Sequence, residues 1–92
     1  MTKLSEEKIK RIKEDILSLL YRAAPKSLFI AEISRELARD EEFVKRLLSE
    51  LEAKEFVVAV KKSPKGMDYR RRTRWRLTSK VYKTYRVLEQ NK

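Results

Sequence analysis

Hydrophobic residues recur at steps of three and four through most of this chain, and at steps of two in one stretch near its end. Ile9, Ile12, Ile16, Leu17 and Leu20 form the first such series, and their spacing predicts an amphipathic helix running to about Ala24. Ser5 is placed to cap it, with Glu6 and Glu7 favoured at its positive end. Leu4 and Ile9 have the spacing of a hydrophobic staple, and Pro25 ends the run.

A short apolar segment, residues 27–30, is sized for a single β-bridge. Ile33, Leu37 and Ala38 predict one face of a second, two-turn helix. Arg39-Asp40 reads as a tight connection, with Asp40 capping a third helix that opens Glu41-Glu42. Val44, Leu47, Leu48 and Leu51 are that helix's buried stripe, ending near Lys54. Residues 56–60 are aromatic and β-branched, which predicts a strand. Ser63-Pro64-Lys65-Gly66 suits a type I turn closed by a left-handed residue, and residues 69–77 make the return strand. Thr78 then caps a final helix from Ser79 to about Gln90, with Val81, Tyr82, Tyr85 and Leu88 on one side. The pattern predicts one mostly helical α+β domain over residues 1–92: three helices, a hairpin and a C-terminal helix, without repeats or linkers.

The stretch from Leu28 to Thr78 resembles the winged helix-turn-helix regulators of the MarR and ArsR kind, small archaeal ones included. Ile33-Ser34-Arg35-Glu36-Leu37 looks like the second helix of that motif, and Asp40 with Val44, Leu47, Leu48 and Leu51 looks like its recognition helix. Phe56-Val57 is similar to the apolar pair that opens the wing, and Trp75-Arg76-Leu77-Thr78 to the segment that closes it. The resemblance implies a helix-turn-helix over about residues 30–54, a wing over about 56–77 and binding of double-stranded DNA. It also implies dimerisation through terminal helices. Against the family's pattern, Ala38 and Glu55 stand where glycine is usual, Arg39 where an apolar residue is usual, and Phe29 and Phe43 where Ser or Thr is frequent.

Charge sharpens this picture because it is segregated. Residues 1–60 hold 12 Lys/Arg and 12 Asp/Glu, whereas residues 61–92 hold 12 Lys/Arg and only Asp68 and Glu89. The whole excess of +10 therefore lies in the last third of the chain. Along a strand, alternate side chains share a face, so Arg70, Arg72, Arg74 and Arg76 are expected in one row, with Thr73, Trp75 and Leu77 turned to the core. Like charges on one sheet face repel, and a polyanion relieves that repulsion; the guanidinium fork suits phosphate oxygens. Arg71 lies towards the wing tip, and Lys61, Lys62 and Lys65 extend the basic surface. On the third helix, Glu42, Phe43, Lys45, Arg46 and Ser49 should face solvent, with Lys45, Arg46 and Ser49 as the candidates for phosphates or base edges. Glu41 and Glu42 suit the positive end of a helix, and Phe43 suits packing.

Other chemistries find little to work with. The chain has no cysteine and no histidine, which excludes disulfides, zinc fingers and the commonest general base. The one glycine, Gly66, rules out a phosphate-cradling loop, so neither an enzyme nor a cofactor is expected. The longest apolar run is the five residues 56–60, far short of a membrane span, and the N-terminus carries no apolar leader. The sequence thus predicts a soluble, cytoplasmic, nucleoid-associated protein. Gln90 and Asn91 are the only side-chain amides and 41% of residues are charged, as in proteins of thermophiles. The expected function is a DNA-binding transcription regulator or architectural protein, with a homodimer through the last helix. RNA binding of the ribosomal winged-helix type, or docking of an acidic protein partner, are the alternatives.

Overall fold

The computed structural model of the chain describes residues 5–60 and 73–90. Its elements follow the order α1 (Glu6–Ala23), β1 (Leu28–Phe29), α2 (Ile30–Leu37), α3 (Glu41–Ala53), β2 (Val57–Val60), β3 (Arg74–Leu77) and α4 (Ser79–Gln90). The anticipated side-chain caps of α1 and α3 are made: the Ser5 hydroxyl accepts from the Lys8 amide at 3.2 Å, and the Asp40 carboxylate accepts from the Phe43 amide at 3.3 Å. Each satisfies one of the amide donors that a helix start leaves open.

α2 starts differently. Its cap position is Phe29, whose side chain accepts nothing, and the Glu32 carboxylate instead reaches back to the Phe29 amide at 3.0 Å. The residue that replaces the usual hydroxyl is therefore compensated by one half of a capping box.

β3 is the central strand of a three-stranded antiparallel sheet, order β1-β3-β2. The expected bridge is thus a short ladder, with Leu28 opposite Trp75 and Phe29 opposite Arg74. On the other edge, Val57 lies opposite Leu77 and Val60 opposite Arg74. Trp75 and Leu77 are buried, whereas Arg74 is half-buried and Arg76 exposed.

The core gathers the stripes anticipated from the periodicity. Ile12, Ile16, Leu17 and Leu20 of α1 meet Ile33 of α2, Val44, Leu47, Leu48 and Leu51 of α3, and Leu28, Val57, Trp75 and Leu77 of the sheet. Truncating any fully buried leucine here would cost about 2–5 kcal/mol, a large part of the ~5–15 kcal/mol that holds a domain folded. The last helix contributes no fully buried residue. Its Tyr82 and Tyr85 rest on Tyr21 of α1 with ring centroids 5.3 and 5.4 Å away, so this part of the helix face packs within the chain. Burial raises the Tyr85 phenol above its ordinary value, and the Glu14 carboxylate adds to the effect. Leu88, expected on the same face, is 60% exposed, as is its neighbour Val87 at 55%. Among the described residues, no helix is long and apolar enough to cross a membrane.

One expectation is corrected. Ala38 does not extend the apolar face of α2; it is exposed and left-handed, with φ of 54°. The Arg39 amide closes back on the Ser34 carbonyl at 2.9 Å, ending the helix. Glu55 does the same after α3, with φ of 62°, and the Phe56 amide reaches the Leu51 carbonyl at 2.9 Å. These two are the positive-φ residues other than glycine among the described residues, and they occupy the two sites where the family pattern has glycine. Both side chains are exposed, so glycine would remove the Cβ strain and lose little packing. Ala38→Gly and Glu55→Gly should each raise unfolding free energy by about 1 kcal/mol in urea denaturation. A loss of stability in both variants would contradict the left-handed assignment.

Candidate nucleic-acid interface

The candidate site begins with how α3 is seated. Its buried stripe turns the opposite side outward, and Lys45, Arg46 and Ser49 are all exposed. With Asp40, Glu42 and Phe43 they line one open depression, so the three anticipated contact residues share a surface. Glu42 joins them, while Glu41 lines a separate depression with Arg35, Glu32, Phe29 and Thr73. Phe43 is half-buried and packed against the core, and the Arg46 guanidinium sits over its ring, 5.4 Å from the centroid.

α3 is also pinned to α1 by charge. Lys13 donates to the Glu50 carboxylate at 2.7 Å across 37 residues of sequence. That hydrogen bond holds the Glu50 carboxyl below its ordinary value, with desolvation opposing and the charge of Lys13 reinforcing it.

The arginine row is only partly described. Arg74 and Arg76 share the face opposite Trp75 and Leu77, as the alternation requires, but they are not equivalent. The half-buried Arg74 places its guanidinium over the Phe29 ring, 4.6 Å from the centroid. Arg76 is exposed and donates to the Leu77 carbonyl at 3.4 Å; among the described residues no carboxylate pairs with it. Arg74 thus differs from Arg76 in exposure, its cross-strand neighbour Phe29 offering an aromatic face. Lys61, Lys62, Lys65, Arg70, Arg71 and Arg72 lie outside the described residues, as do Leu4 of the staple and the Ser63–Gly66 turn.

The structure adds two cations that the sequence reading did not single out. Lys26 and Lys83 meet Arg76 around a depression floored by Leu20, Pro25, Leu77 and Tyr82. Lys26 lies 3.8 Å from the Glu32 carboxylate, a loose pair. The three-residue spacing of Lys80, Lys83 and Arg86 was readable as a basic helix face. The convergence with Lys26 was not, because it depends on how α4 docks on β3.

No protein-family model matches the chain, and no curated protein matches it. Solved structures do. Staphylococcus aureus MepR in complex with DNA aligns with TM-score 0.72 and 22% identity, covering 91% of this chain and 66% of MepR. Lactococcus lactis ZitR aligns with TM-score 0.69 and 21% identity, covering 92% of this chain and 59% of ZitR. The apo Zalpha of zebrafish PKZ aligns with TM-score 0.62 and 23% identity, over 76% of this chain and 95% of its own. The chain thus spans about three-fifths of the ZitR chain and two-thirds of the MepR chain. The likeness establishes the fold, a winged helix-turn-helix.

The Lys13–Glu50 pair gives a pH signature. Glu50 titrates lower in the folded state, so its contribution is present above the ordinary carboxylate value of 4.5 and is lost as pH falls through the depressed value. Both partners have some solvent contact, which limits the gain to a few tenths of a kcal/mol, about 1 at most. Lys13→Met should lower stability by that amount at neutral pH and low salt, and the gap should close in acid. A gap that persists unchanged in acid would mean that Lys13 acts through packing.

Proposed function

We propose that this chain binds double-stranded DNA, as a transcription regulator or an architectural protein. α3 lies in or against the major groove, with Lys45, Arg46 and Ser49 meeting phosphates or base edges. The basic segment that follows β2 grips the flanking phosphates or minor groove through Lys61, Lys62, Lys65, Arg70, Arg71, Arg72, Arg74 and Arg76. The observation that carries the reading is the outward face of α3: Lys45, Arg46 and Ser49 share one open surface, with Asp40 and Glu42 at the helix start, on a helix whose opposite stripe is buried. The confinement of the +10 charge to the last third of the chain supports it, as does a solved DNA complex of MepR on the same fold. Nothing in this reading requires catalysis.

If about six cations contact phosphate, log affinity falls with log salt at a slope near −5 per subunit. Arg70→Ala with Arg72→Ala should flatten it by about 2. An unchanged slope would exclude the basic segment as the contact surface. Competition by structured RNA at fixed salt separates duplex DNA from the RNA alternative, and negligible affinity for any duplex would favour an acidic protein partner.

The same reading includes a homodimer through α4. Val87 and Leu88 are adjacent and more than half exposed on a helix that buries none of its residues fully. A second copy of α4 is the occupant that the family resemblance implies. Replacing both by Glu should shift sedimentation from dimer to monomer without loss of helical signal, whereas an unchanged species would refute this interface.

A further inference from the structure

Phe43 and Arg46 stand three residues apart on α3, a spacing that puts their side chains next to each other. Arginine at this place has three competing neighbours. Glu42 lies one turn before it and Glu50 one turn after, and either carboxylate has the spacing of an i,i+4 ion pair. Glu50 is engaged by Lys13 at 2.7 Å; the Arg46 charge adds to the lowering of its carboxyl from a distance, but among the described residues neither acid forms an ion pair with Arg46. The guanidinium rests on the third neighbour, the ring of Phe43, 5.4 Å from its centroid.

The choice of partner matters chemically. A carboxylate would consume the N–H donors at the guanidinium edge, whereas an aromatic ring takes only its face. All five donors lie in the guanidinium plane and stay available. Among the described residues none of them is hydrogen-bonded within the chain. Arg46 lines one depression with Lys45 and Ser49, together with Phe43 and the acids Asp40 and Glu42. Phe43 in turn is held, being half-buried against the core.

We infer that Phe43 is a positioning residue: its ring holds the Arg46 guanidinium so that its donor fork is set for two adjacent acceptors, the N7 and O6 edge of a guanine in the major groove. This inference rests on the DNA reading and assigns it a specificity. Arg46 supplies the base contact; Phe43 touches no base and acts through Arg46. The aromatic residue that departs from the family's pattern thus takes part in readout by ordering its neighbour.

The test uses the full chain and a pool of duplexes of randomised sequence, from which preferred sites are selected and then varied base by base. Wild type should prefer guanine at one position by roughly fivefold or more over adenine. Arg46→Ala should abolish that preference. Phe43→Leu, which keeps an apolar side chain and removes the ring, should reduce it by a factor of roughly two to five while leaving the salt slope unchanged. Phe43→Tyr should restore it. In the Arg46→Ala background, Phe43→Leu should have no further effect on base preference. The guanine-to-adenine ratio is measured on one protein sample, so a partly unfolded variant does not distort it. A full preference in Phe43→Leu, or independent effects of the two substitutions, would overturn this inference and leave the DNA reading standing. A wild type that binds no duplex would sink both.

Discussion

The arrangement depends on the two-residue alternation of β3. Trp75 and Leu77 enter the core shared by all three preceding helices, while Arg74 and Arg76 are turned to the other face. A slip of one residue would bury two guanidiniums and expose an indole, so the register is fixed by burial on one side alone. As β3 is also the central strand, its register sets that of β1 and β2 together. The apolar half of the strand thereby decides where its cationic half stands.

A second constraint ties the end of α3 to the start of α4. The Thr78 amide donates to the Phe56 carbonyl at 3.1 Å and its hydroxyl to the Glu55 carbonyl at 2.9 Å. The same hydroxyl accepts from the Val81 amide at 3.5 Å, so one side chain caps α4 and fastens it to the turn after α3. That turn is left-handed at Glu55. The chain accepts the cost of a non-glycine residue there because the hydrogen bonds on both sides over-determine the conformation.

Much of this was legible in the sequence, for identifiable reasons. Three- and four-residue spacing gave α1 and α3 to within a residue or two, because each buries a single continuous stripe. The caps at Ser5, Asp40 and Thr78 were legible because side-chain capping is local. The outward set on α3 followed from the same periodicity as the inward one. Ala38 was misjudged because an alanine after two apolar residues continues a helical pattern by composition, and only backbone closure onto Ser34 reveals a left-handed end. The unequal states of Arg74 and Arg76 were hidden for another reason. Strand parity tells which face a residue takes, but not that Phe29 would be the cross-strand neighbour of one arginine. The Lys13–Glu50 pair and the convergence of Lys26, Arg76 and Lys83 are tertiary facts with no signal along the chain.

Several acids of the first sixty residues serve local ends. Glu32 and Asp40 satisfy helix amides, Glu50 holds Lys13, and Glu41 and Glu42 sit in the first turn of α3. Two arginines at the candidate interface also have phenylalanine rings beside them: Arg46 lies over Phe43 and Arg74 over Phe29. The distinction has an electrostatic consequence. A carboxylate would localise a guanidinium by cancelling its field at a distance, whereas a ring restricts its motion and leaves its full charge in place. Placement without neutralisation is what a surface needs if it is to attract a polyanion and also meet it in a defined geometry. Phe43, anomalous against the family's hydroxyl-bearing pattern, is consistent with that requirement at Arg46. It stands where a hydroxyl could have made a hydrogen bond, and it offers the arginine an uncharged platform.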